Sequence, residues 1–154
     1  MGNRFTIGPG EVQTMSAGTG ITHSEFNGSD SVPARLLQIW IVPEETGLAP
    51  SYDQRAFDDA EKTDRLCAIA AGTGHRGALA LHQDVVIYAS RLSPGGAVAF
   101  EPQPGRRVWI QMVAGEAALN GVVLGTGDGA AVESESALEL ASDAGGEFLL
   151  FDLP

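Results

Sequence analysis

The chain has one cysteine, Cys67, in 154 residues. No internal disulfide can form, which fits a reducing compartment. Basic residues are also scarce. Nine Lys and Arg stand against 20 Asp and Glu, a net charge of −11. That balance argues against binding nucleic acid by phosphate neutralisation and against docking on anionic lipid, since both need basic surface. No apolar run approaches the ~20 residues of a membrane span. Met1-Gly2-Asn3-Arg4-Phe5 has no apolar signal-peptide core. The expectation is a soluble, cytoplasmic protein with no nucleic-acid or membrane partner. There is no GxGxxG fingerprint, and no Lys-Ser/Thr follows Gly18-Thr19-Gly20, so no phosphate loop is present in the sequence. Histidine occurs only at 23, 75 and 82, and no His-x-His pair exists.

Glycine, by contrast, is abundant. Its 20 positions are nearly twice the usual share of ~7%. Many turns, and so short strands rather than long helices, are expected. Hydrophobic residues make up 44% of the chain and mean hydropathy is +0.03, enough for a packed core. Residues 4–27 read as short strands split by Gly8-Pro9-Gly10 and Gly18-Thr19-Gly20. Ala34–Val42 reads as a strong strand, rich in β-branched and aromatic residues and stopped by Pro43. Residues 44–64 are polar and irregular, with Pro50, Tyr52 and the run Asp58–Lys62, and read as an inter-domain connection with a helical turn. From Arg65 on, strands are expected at 66–71, 78–82, 85–92, 97–100, 107–113, 116–119, 122–124, 130–133, 137–141 and 147–152. Leu119-Asn120-Gly121-Val122 is the strongest turn signal, because Asn-Gly accepts the positive φ of a two-residue hairpin. Short strands at this spacing predict an all-β antiparallel barrel or jelly roll.

The chemistry concentrates in Gly18-Thr19-Gly20-Ile21-Thr22-His23-Ser24-Glu25. On a strand, residues i and i+2 share a face. His23 and Glu25 would then present an imidazole and a carboxylate together, donors that suit divalent iron, zinc, nickel or copper. Two ligands are too few for a tight site, and this spacing is common by chance. The other candidates have plainer readings. His75 and His82 read as loop and strand-end histidines rather than replacement ligands. Cys67, in an apolar run, reads as a small buried hydrophobe rather than a reactive thiol. Arg106-Arg107 reads as a solvated pair or an internal salt-bridge donor. Trp40 and Trp109 read as packing residues. Asp53, Asp58, Asp59 and Glu61 read as a solvent-facing charge run.

Gly10–Glu25 closely resembles the second metal motif of the pirin family of bicupins. Leu37–Pro43 with Gly47, Pro50, Tyr52 and Gln54 is similar to the segment that follows in that family. So are Gln83–Ala89, Asn120-Gly121 with Gly127-Asp128-Gly129, and the terminal Leu149–Pro154. The resemblance covers nearly the whole chain and implies cupin domains, which are jelly-roll β-barrels. Residues 1–43 would be a remnant of an N-terminal cupin, 44–65 an inter-domain connection, and 66–154 a complete C-terminal cupin. It implies one divalent metal, usually iron, with zinc, nickel, copper or manganese as other candidates. The family's site takes three His and one Glu. His23 would be the third histidine, and Glu25 the carboxylate ligand and catalytic base. The first two belong to an upstream His-x-His that this sequence does not contain, so the chain reads as a pirin lacking its N-terminal part.

The resemblance further implies quercetin 2,3-dioxygenase activity, the ring-opening dioxygenation of a small aromatic flavonol, in the full-length form. Two ligands of four make an efficient reaction by the chain alone doubtful. The alternative is a non-enzymatic cupin interaction or regulatory module without metal. Apolar residues built to line a barrel (Phe5, Ile7, Val12, Ile21, Leu36, Ile39, Ile41) would be left open. A homodimer through residues 1–42 is therefore expected.

Overall fold

The computed structural model describes residues 4–72 and 75–154. Met1–Asn3, and Thr73 and Gly74 of the expected loop before His75, lie outside the described residues. The N-terminal part holds β1 (Glu11–Ser16), β2 (Ser51–Ala56) and the helical turn α1 (Asp59–Lys62). Beyond it come β3 (Cys67–Ala71), β4 (Leu79–Ala80), β5 (Val86–Leu92), β6 (Gly96–Phe100), β7 (Arg107–Leu119), β8 (Val122–Gly125), β9 (Gly129–Val132), β10 (Leu138–Ser142) and β11 (Gly146–Leu153). These nine strands form one sheet in the order β4-β3-β5-β11-β7-β10-β6, with β8 and β9 also on β7. The expected all-β cupin architecture is thus present, and each strand expected beyond Arg65 is matched within a few residues.

β7 explains how one sheet curls. Its first half pairs with β11 and β9, its second with β8 and β10. The change of partners falls at Gly115, where φ is +70° and an added Cβ would collide with the Gly145 carbonyl. Only glycine tolerates both conditions. The ladder with β11 also slips there, between Glu147 and Phe148, the signature of a bulge that bends a strand. The two segments expected at 107–113 and 116–119 are therefore one bent strand. The Asn120-Gly121 hairpin forms as expected, with φ of 46° and 85° and Leu119 opposite Val122.

Strand alternation builds two cores. Phe148 and Leu150 of β11 face one way with Ile110, Met112, Leu138 and Leu140, all nearly inaccessible. Leu149 faces the other way, toward Ile69, Val85, Ile87 and Phe57. Val12 of β1 and Ile41 pack on this second core, so it ties the N-terminal part to the sheet. Each fully buried large side chain contributes about 1.5–3 kcal/mol.

The N-terminal part departs from expectation. Only β1 forms within residues 4–27, and 34–42 forms no strand. An extended segment becomes a strand only where a neighbour takes its hydrogen bonds, and Ala34–Val42 pairs with no strand among the described residues. Trp40, expected in a core, is 91% exposed, and Trp109 is partly exposed against Gly129. Residues 44–65 hold β2 as well as the helical turn. β2 pairs antiparallel with β1, Gln13 opposite Gln54 and Met15 opposite Tyr52. Ser51–Ala56 escaped notice because its composition is polar and only one face is covered.

Candidate metal centre

The bend after β1 places the candidate ligands. Gly18 adopts φ +51°, and a Cβ there would run into the Leu48 carbonyl. Thr19 N–H donates to that carbonyl at 3.1 Å, and Gly20 N–H to Ala17 O at 2.7 Å. The bend is thereby docked beside the start of β2, and Ile21–Asn27 leaves it with no regular secondary structure. His23, Ser24, Glu25 and Phe26 are all exposed. The one-strand face expected for His23 and Glu25 therefore has no ladder behind it, and burial does not alternate.

Glu25 is nonetheless held. Its Oε1 accepts the Gln13 amide at 2.7 Å and its Oε2 the Gln38 amide at 3.0 Å. Gln13 stands on β1, while Gln38 belongs to the unpaired 34–42 segment. Behind Gln13 is Tyr52, whose Oη lies 3.2 Å from Gln13 Oε1 and 2.6 Å from Gln54 Oε1. Phe5 stacks on the Tyr52 ring at 4.3 Å. Burial, then the charges of Glu11, Asp53 and Glu25, push the Tyr52 phenol up, so it keeps its proton. In the sequence, Gln13, Gln38 and Tyr52 stand only within the segments that resemble the family. Only the β1–β2 pairing, invisible in the composition of β2, brings Gln13 and Tyr52 together.

The remaining candidates lie apart. His75 meets Tyr88 edge-on, with ring centroids 6.5 Å apart. His82 accepts Glu44 N–H at its carbonyl, 2.8 Å. Both line a cleft of about 340 Å³ with Glu44, Glu45 and Asp84. Among the described residues, no three His, Cys, Asp or Glu side chains gather in an arrangement that could hold a metal. The His23–Glu25 pair offers an imidazole and an oriented carboxylate, which fit a borderline divalent ion. It makes up half of the donor set that the resemblance implies.

Cys67, Arg106 and part of the acidic run are tied into the packing of the fold. Cys67 is half-buried; burial, then Glu61, pushes its thiol up. Arg106 is ion-paired, with Nε 2.7 Å from Asp152 Oδ1 and Nη1 3.0 Å from Asp84 Oδ2. Burial works against its charge, but the hydrogen bonds to Asp152 and Asp84 outweigh it and raise its pKa. Part of the acidic run is likewise paired rather than merely solvated. Glu61 holds Arg55 at 2.7 Å and Asp59 holds Arg91 at 2.8 Å, which fastens α1 to β5.

Comparison with known proteins matches each half of this arrangement. Residues 68–153 match the family model described as the quercetinase C-terminal cupin domain, and residues 1–41 the one described as pirin. Quercetin 2,3-dioxygenase of Escherichia coli (strain K12) is 43% identical over 154 residues, all of this chain and 65% of that protein. The chain thus spans just under two-thirds of that relative's length. The crystal structure of YhhW from Escherichia coli superposes with a TM-score of 0.93 at 42% identity, covering 100% of this chain and 64% of that one. A structure of the bacterial pirin YhhW in complex with nickel(II), also from Escherichia coli, gives 0.87 at 39% identity, covering 99% and 65%. With one model on the His23–Glu25 segment and the other on the long sheet, the chain belongs to the pirin family of cupin proteins.

Proposed function

We propose that this chain serves a metal-dependent dioxygenation that opens the central ring of a flavonol such as quercetin, with His23 and Glu25 as metal ligands. The observation that carries this reading is the likeness to Escherichia coli quercetin 2,3-dioxygenase along the whole chain. The nickel(II) complex of YhhW supports a divalent ion; iron is taken as the working ion. Held by this chain, the ion would supply the Lewis acidity at which two adjacent flavonol oxygens and dioxygen meet. His23 would donate one neutral ring nitrogen. Glu25 would bind through one carboxylate oxygen and accept the flavonol hydroxyl proton on the other. In this reading residues 1–43 carry the ligands, 44–65 connect the two parts while adding β2 to β1, and 66–154 form a complete cupin with no ligand cluster among the described residues.

Two further parts belong to the proposal. A second copy pairs through residues 1–42, which the exposure of Phe26, Leu36 and Trp40 supports. The protein works in the cytoplasm, where a lone thiol such as Cys67 stays reduced. A non-enzymatic interaction module is the second reading, favoured by the same open apolar face. Oxygen uptake by the iron(II)-supplied chain with quercetin separates them. Slow uptake matched to quercetin loss, as two ligands of four allow, still faster than that of free iron(II) and absent in Glu25→Ala, is expected. Uptake no faster than that of free iron(II) would contradict the enzymatic reading.

A further inference from the structure

We propose that Gln13 and Gln38 are positioning residues for Glu25, aiming its carboxylate at the metal, and that Tyr52 aims Gln13 in turn. The inference rests on the reading of Glu25 as a ligand. A glutamate on exposed, unpaired chain has three free χ torsions and would ordinarily sample many rotamers. Here both oxygens are tied, Oε1 by the Gln13 amide at 2.7 Å and Oε2 by the Gln38 amide at 3.0 Å. A carboxylate offers about four lone-pair sites. Two amides occupy two of them and leave one on each oxygen for an ion. The donors are neutral, so they orient the carboxylate without adding a charge that would repel or replace a cation.

The support continues into the hairpin. Gln13 lies opposite Gln54 and Met15 opposite Tyr52 in the β1–β2 ladder, so Gln13, Tyr52 and Gln54 share one face. Tyr52 Oη is within reach of both Gln13 Oε1 and Gln54 Oε1, and donates its single proton to one of them at a time. Gln54 Nε2 donates to the Thr6 carbonyl at 3.1 Å. With the phenol proton on Gln13, the hairpin braces the amide that holds Glu25; Gln54 competes for that proton at 2.6 Å. Groups that hold a metal ligand in this way govern affinity through the ligand's geometry.

Titrating the full chain with Co²⁺ alone, followed by its visible absorption, tests this. The band shape reports coordination geometry, which a purely structural role would leave unchanged. Gln13→Met and Gln38→Met keep the side-chain length and lose the donor. Each is expected to weaken Co²⁺ binding about 10–100-fold and to alter the band, at an unchanged melting temperature. Tyr52→Phe should give a smaller loss. If Gln13→Met melts early, Gln38→Met, which lies outside any strand, carries the test. Should both methionine variants bind with wild-type affinity and spectrum while His23→Ala and Glu25→Ala do not bind, the positioning role is overturned and the ligand reading stands. If the alanine variants bind as the wild type does, or the wild type binds no Co²⁺, the ligand reading fails and this inference with it.

Discussion

Leu36–Val42 and Phe148–Leu153 are both apolar, β-branched or aromatic runs of the kind that makes strands, and they end in opposite states. Phe148 and Leu150 are inaccessible, and Leu149 is 9% exposed. β11 sits between β5 and β7, with a core on each face. In the other run Leu36 is 63% and Val42 82% exposed, and no strand among the described residues pairs with it. A strand-forming composition supplies apolar side chains and suitable φ/ψ. It does not supply the neighbours that receive the backbone hydrogen bonds and cover the faces. The same region holds Glu25, so the proposed metal ligand lies where packing is least complete.

Substitutions should separate the two regions. Phe148→Ala and Leu140→Ala remove inaccessible side chains from the first core and should each cost about 3–5 kcal/mol. Trp40→Ala and Leu36→Ala should stay within about 0.5 kcal/mol in the monomer, at protein concentrations too low for two copies to pair. Urea unfolding measures both. An equal cost at Trp40 would show that the N-terminal face is covered in solution, as a second copy would cover it. Light scattering at low micromolar concentration decides that point, with a dimer expected.

Arg106 sharpens the contrast, because it brings charge into the well-packed region. Its side chain is 18% exposed and that of Asp152 12%. Arg106→Met leaves a nearly buried carboxylate without its partner and should cost about 3 kcal/mol. Arg106→Met with Asp152→Leu should recover much of this, since no unpaired charge remains. A single variant as stable as the wild type would show that water reaches Asp152.

A smaller effect is expected at the hairpin. Gly121→Ala forces a Cβ into φ 85° and should cost about 1 kcal/mol. Smaller still is the alkaline response of Tyr88. Burial, then Asp152, raises the phenol above its usual 10.0, against a lowering by Arg106. A proton held more tightly in the folded state stabilises it below the unfolded value and ceases to as pH rises through the folded one. Tyr88→Phe should therefore flatten the loss of stability above about pH 10. An unchanged slope would place the tyrosine in solvent.

The sheet was legible because its turns carry chemistry of their own. Asn120-Gly121 sets a register, and the apolar alternation of β5, β7 and β11 survives in the sequence. β2 was not legible, since Ser-Tyr-Asp-Gln-Arg-Ala has the composition of a loop and becomes a strand only against β1. His23 and Glu25 were legible as donors through their motif. Their surroundings were not. Gln13 and Gln38 stand 12 residues before and 13 after Glu25, and no local spacing rule joins them. Trp40 was misjudged because its pattern promised a core that the chain does not build around it.

The claim on which the functional reading depends is that the ordered carboxylate of Glu25 and the imidazole of His23 together take a divalent ion. A Zn²⁺ titration of the ¹³C,¹⁵N-labelled chain followed by NMR tests it most directly. Zn²⁺ is diamagnetic, so each side chain can be watched on its own. The expected result is a saturable shift of the His23 ring and Glu25 carboxylate, carried into the Gln13 and Gln38 amides, with His75 and His82 unmoved. Shifts centred on the His75–His82 cleft, or none at His23 and Glu25 at any concentration that keeps the chain folded, would contradict it.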